Sequence, residues 1–147
     1  MSRKPRPTVA LARADGAVVC ERCTVAATAL TRLQGLLGRR GLEAGEGLLL
    51  RPASSIHTFF MRFPIDVVFL DRELEVRKVV PELGPWRIAG ARGAKSALEL
   101  PAREAERRGI ATGHRLVMRE HDSRATVRRD CSTRRVGGVE LRSGRGC

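Results

Sequence analysis

The residue that first invites a chemical reading is Asp66. It stands inside Ile65-Asp66-Val67-Val68-Phe69-Leu70, a run that is otherwise apolar. An ionised carboxylate in such a strand is costly to bury unless donors or a cation compensate it. Two roles meet that need. Asp66 can accept hydrogen bonds from the preceding turn and pin the break at Pro64, or it can face a ligand cleft. On the strand before it, His57 alternates on one face with Ser55, Phe59 and Met61. Glu99 points away from Leu98 and Leu100, which suits either a solvated surface or the wall of a cleft. His114 follows the turn Thr112-Gly113, and Trp86, the only tryptophan, stands in a loop containing glycine and proline. These five residues, His57, Asp66, Trp86, Glu99 and His114, are the candidate ligand-binding set.

Their types permit several chemistries, and their spacing demands none. Two imidazoles and two carboxylates would suit zinc or manganese if His57, Asp66, Glu99 and His114 converged. They come from four separate segments, so no metal and no cofactor is assigned. Asp66 and Glu99 could serve as a glycosidase-like carboxylate pair, with Trp86 as a sugar platform. Ser55, His57 and Asp66 supply the residue types of a hydrolase triad but not a nucleophile elbow. No glycine-rich phosphate loop follows a strand, which excludes nucleotide hydrolysis of the P-loop kind. Cys20-Glu21-Arg22-Cys23 is a C-x-x-C, but Cys131 and Cys147 do not supply the second close pair of a zinc site. No helix start follows the pair, as a thioredoxin-like site would require. In an extended strand Cys20 and Cys23 point to opposite faces, so both read as structural thiols.

The elements that must position these groups are short. Leu11 to Ala26 reads as two strands around the turn Asp15-Gly16. Leu30, Leu33 and Leu37 recur at helical spacing between Thr28 and Gly38. A strand over Leu48–Arg51 is closed by Pro52, and β-rich Ser55–Met61 is followed by a break at Arg62-Phe63-Pro64. The apolar run of Asp66 pairs with Leu74–Val80 as a hairpin across Asp71-Arg72-Glu73. Ala97–Leu100 is a further strand. Pro101 and Gly109 bracket a helix over Ala102–Arg108, and a final strand covers His114–Arg119. Six or more short strands with two small helices predict a mainly β fold, a β-rich α+β sandwich or barrel. Residues 1–8 read as a flexible leader and 9–119 as a single β-rich domain. Beyond that, 120–147 lack any apolar period and read as a disordered basic tail.

The chain has 147 residues, a formal net charge of +12 and 42% hydrophobic residues. That suffices for one domain with a core of its own. No apolar run is long enough to cross a bilayer, and Arg13 and Asp15 interrupt what a secretory signal would need, so a cytoplasmic location is expected. The charge raises non-specific nucleic-acid binding as a possibility. Against it, the cations are dispersed among acids, and arginine outnumbers lysine 25 to 3, a skew that GC-rich coding alone produces. Four phenylalanines, one tryptophan and no tyrosine supply little for base stacking.

Five separated segments, in order, carry a resemblance. They are Arg32-Leu33-Gln34-Gly35-Leu36-Leu37-Gly38-Arg39, Ser55 through Asp71, Pro85-Trp86-Arg87, Ala97-Leu98-Glu99-Leu100-Pro101 and Gly113-His114-Arg115-Leu116. Together they resemble the domain-of-unknown-function 192 family (DUF192) over about residues 11–119. The resemblance implies a small β-dominated domain and transfers no catalytic residue. It also exposes two departures. Arg103 stands where the family usually has glycine, and His114 where it usually has aspartate. The sequence therefore favours a non-catalytic binding or accessory domain for a small polar ligand or a protein partner. The alternatives are a hydrolase, with or without metal, using His57, Asp66 and Glu99, and non-specific nucleic-acid binding through the basic surface.

Overall fold

The computed structural model describes residues 7–27 and 40–120. The helix expected around Leu30–Leu37, most of the leader and the tail beyond Glu120 lie outside the described residues. Within them the chain forms nine strands and one helical turn. The strands are β1 (Thr8–Arg13), β2 (Val18–Ala26), β3 (Glu46–Leu50), β4 (Ser55–His57), β5 (Ile65–Leu70), β6 (Val76–Leu83), β7 (Ile88–Gly90), β8 (Ser96–Pro101) and β9 (Leu116–Glu120), and the helix is α1 (Glu104–Arg107).

Seven strands make one sheet in the order β6-β5-β8-β3-β2-β1-β9, while β4 and β7 pair as a separate ribbon. Neighbours are antiparallel except β2 with β3. The sheet curls into a half-barrel, because its two edge strands meet at one end. Glu75 bridges Arg115, the Val76 amide donates to the His114 carbonyl at 2.8 Å, and the Leu116 amide donates to Leu74 at 2.9 Å. The mainly β expectation is met, as a half-barrel carrying one short helix among the described residues.

Both faces of the central strands are covered. Along β5 every residue is buried, and Val68 and Leu70 join Leu98, Leu100, Leu49, Val19 and Leu116 in one cluster. Val67, Phe69 and Ile65 join Leu48, Leu50, Ala97, Ile56 and Met61 in a second cluster on the other face. The period of two along a strand divides the residues between these clusters. Ile56 and Ala89 place the β4–β7 ribbon over the second cluster.

The hairpin turns follow from local chemistry. Gly16 takes φ 95° in the β1–β2 turn, where the Asp15 carboxylate accepts from the Ala17 amide at 3.0 Å. At the β5–β6 turn the Asp71 Oδ1 accepts from the Glu73 and Glu75 amides at 3.0 and 2.9 Å.

Three element expectations need correction. The strand expected over Leu74–Val80 spans Val76–Leu83 instead, running through Pro81. Proline is tolerated there because β6 is an edge strand, with no partner awaiting its missing N–H. The strand expected over Ser55–Met61 stops at His57, because Phe60 turns left-handed at φ 65°. Cys20 and Cys23 do not face opposite ways: both are buried in the same cluster. Register shifts in the β1–β2 pairing set Leu11 against Cys20 but Val9 against Cys23. The extra residue cancels the alternation that a regular strand would impose. The hydrogen bond with the neighbouring Cys20, together with burial, raises the Cys23 thiol well above the ordinary range, so Cys23 stays protonated.

Candidate functional site

Asp66 is wholly buried and its two oxygens are spoken for by backbone. Oδ1 accepts from the Glu82 amide at 2.8 Å and the Arg103 amide at 3.0 Å, and Oδ2 accepts from the Ala105 amide at 2.8 Å. The donors come from β6 and from the first turn of α1, not from the turn before Pro64. One donor exists because of a bulge. Ile65 pairs with Leu83 but Val67 with Val80, so β6 carries one residue more than β5 across this step. The surplus, at Pro81-Glu82, releases the Glu82 amide from the ladder towards Asp66. Three backbone donors compensate a buried carboxylate without any cation.

Glu99 is buried too, on the other side of the sheet. β5 and β8 pair Asp66 with Leu100 and Val67 with Glu99. Asp66 therefore lies on the face of Leu98 and Leu100, and Glu99 on the face of Val67 and Leu48. A backbone layer separates the two carboxylates, so they cannot flank one scissile bond. Burial pushes the Glu99 carboxyl up to about 7.

His114 is half-buried at the approach to β9, where its Nδ1 accepts from the Ala111 amide at 3.2 Å. Among the described residues no group of three or more His, Cys, Asp and Glu side chains gathers as a metal would require. Nor is any helix there long and apolar enough to cross a membrane.

His57 and Trp86 are the two candidates brought into one cluster, and they are joined by residues that sequence reasoning passed over. The His57 and Phe59 rings stack at 4.8 Å, Phe59 and Trp86 at 5.8 Å, and Phe60 tilts against Trp86 at 4.7 Å. Phe60, Trp86 and Ile88 are 68%, 60% and 70% exposed. Arg62 and Arg87 are exposed beside them in sequence. Both Phe60 and Trp86 adopt left-handed backbone, at φ 65° and 60°. For a non-glycine residue that conformation costs about 1–2 kcal/mol.

Buried Thr58 holds the two turns together. Its hydroxyl donates to the Gly84 carbonyl at 2.7 Å and accepts from the Arg87 amide at 2.9 Å, while its carbonyl accepts from the Trp86 amide at 3.0 Å. A hydroxyl residue ahead of Phe59-Phe60 was the one available signal of this stitch.

A family model described as DUF192, an uncharacterised ACR, matches residues 10–118. The chain belongs to the DUF192 family. No curated protein matches it. Among solved structures, this DUF192 chain is similar to a Sinorhizobium meliloti protein described as a candidate transcription regulator. That likeness has TM-score 0.70 and 22% identity, covering 80% of this chain and 98% of the other. A protein of unknown function from Novosphingobium aromaticivorans matches at TM-score 0.64 and 23% identity, covering 75% and 83%. At these identities the likeness is one of fold. The DUF192 match places all five motif segments in one family while leaving their activity open.

Proposed function

We propose that this DUF192 domain is a binding domain that recognises a protein partner through the platform of His57, Phe59, Phe60 and Trp86. The observation that carries the reading is the outward presentation of Phe60 and Trp86 on two left-handed residues locked by Thr58. Large exposed aromatics bordered by arginines are the usual make-up of interface anchors. Burial in the domain's own core would not need that strain.

The hydrolase alternative draws no support from the carboxylates. Asp66 is saturated by backbone donors, and Glu99 lies across the sheet from it. A small polar ligand fits less well than a protein surface, because the platform rings stand out in solvent.

The test is selection of peptides from a displayed library on the wild-type chain, followed by titration against Phe60→Ser and Trp86→Ser. Selected peptides are expected to lose about tenfold or more in affinity, roughly 1.4 kcal/mol, while both variants still melt cooperatively near the wild-type temperature. Failure to enrich any peptide, or binding unchanged by both substitutions, would overturn the reading.

A further inference from the structure

A second surface feature lies at the other end of the β4–β7 ribbon. Thr112-Gly113, the start of β6 and the segment Gly90–Arg92 enclose an open cleft of about 510 Å³. Ligand clefts commonly measure about 300–1,000 Å³. Three cationic residues line it, Arg77, Lys78 and Arg92, against one acidic residue, Glu75.

These cations come from two segments that the fold draws together. The Lys78 ammonium donates to the Gly90 carbonyl at 3.2 Å, which ties β6 to the end of β7. Arg77 lies 4.0 Å from the Asp71 carboxylate and keeps its side chain about half exposed. Arg92 is exposed and makes no ion pair among the described residues. The opposite wall stays open because Gly113 takes φ 89° and nothing lies within 4 Å of where a side chain would begin.

Positive charge thus exceeds negative charge around an open space, within a chain whose net charge is already +12. Guanidinium groups offer planar paired donors and an ammonium offers a point charge, the combination that suits phosphate oxygens. We propose that this cleft binds a phosphate group, carried either by a small phosphorylated molecule or by a nucleic-acid backbone. The site is separate from the aromatic platform. Gly90 pairs with Ser55 while Ile88 pairs with His57, about 7 Å further along the ribbon.

Calorimetric titration of the full chain tests the assignment with two probes, pyrophosphate and an oligothymidylate of about eight residues. At least one is expected to bind, and Arg92→Gln together with Lys78→Gln to weaken it about tenfold or more. Arg92→Gln alone, at an exposed side chain, gives a smaller loss in the same direction and guards against misfolding of the double variant. Trp86→Ser is expected to leave pyrophosphate binding intact, which separates this site from the platform. Binding of pyrophosphate identifies a small phosphorylated ligand, and binding of the oligonucleotide alone identifies a nucleic-acid backbone. The proposal is overturned if neither probe binds. It is equally overturned if the distant Arg119→Gln weakens binding as much as the cleft variants do.

Discussion

The Asp66 carboxylate holds the Arg103 amide at 3.0 Å, and Arg103 is left-handed at φ 67°. The two facts are connected. Turning Arg103 into that conformation aims its N–H at Asp66, and the Ala105 amide follows onto the second oxygen at 2.8 Å. The first turn of α1 is therefore capped from β5 and not by its own leading residue. Glycine reaches this geometry without strain, which accounts for the family's usual residue there. Here an arginine bears the strain, and its side chain gains only an exposed contact with Glu82.

Replacing Arg103 by glycine should accordingly stabilise the domain. Relief of left-handed strain outweighs both the lost surface ion pair and the greater freedom of the unfolded chain, leaving about 0.5–1 kcal/mol. Chemical denaturation of Arg103→Gly checks this, and a lower midpoint than wild type would contradict it.

Asp66→Asn should be strongly destabilising. Three backbone amides converge on two buried acceptor oxygens, and an amide group turns one acceptor into a donor facing another donor. The expected loss is about 2–4 kcal/mol by denaturant titration. Hydrogen exchange at Glu82, Arg103 and Ala105 should accelerate with it. An unchanged midpoint would remove Asp66 from the account of what holds α1 to the sheet.

Glu99 predicts the pH dependence. Its folded-state value of about 7 lies above the ordinary 4.5, so the folded chain holds that proton more tightly than the unfolded chain does. Stability from this group is full below about pH 4.5, falls as pH rises towards 7, and is flat above. The span amounts to at most about 3 kcal/mol. Glu99→Gln should raise stability at about pH 8 by about 1–3 kcal/mol and flatten the slope between about pH 5 and 7. Thermal melts across that range decide it, and a Glu99→Gln chain with the wild-type slope would show the burial cost to lie elsewhere.

Period-two alternation was legible without coordinates. It separates Val68 and Leu70 from Val67 and Phe69, and it places Asp66 and Glu99 correctly on their own strands. What alternation cannot carry is the effect of an inserted residue. The bulge at Pro81-Glu82 that releases an amide to Asp66, and the register shift that turns Cys20 and Cys23 to one side, both depend on a partner strand. Nor does composition show where rings collect. Few rings are present, yet Phe59, Phe60 and Trp86 meet at one place because Thr58 joins two distant turns.

By itself the sequence determined a β-rich domain, its turn positions, its family motifs and the need of Asp66 for compensation. These follow from side-chain type and local backbone preference, which act over a few residues. Tertiary structure alone decided who compensates Asp66, which face of the sheet each carboxylate occupies relative to the other, and where cations and rings collect. Those outcomes arise from hydrogen-bond register between strands far apart in the chain, and one residue of register reverses every side chain that follows it.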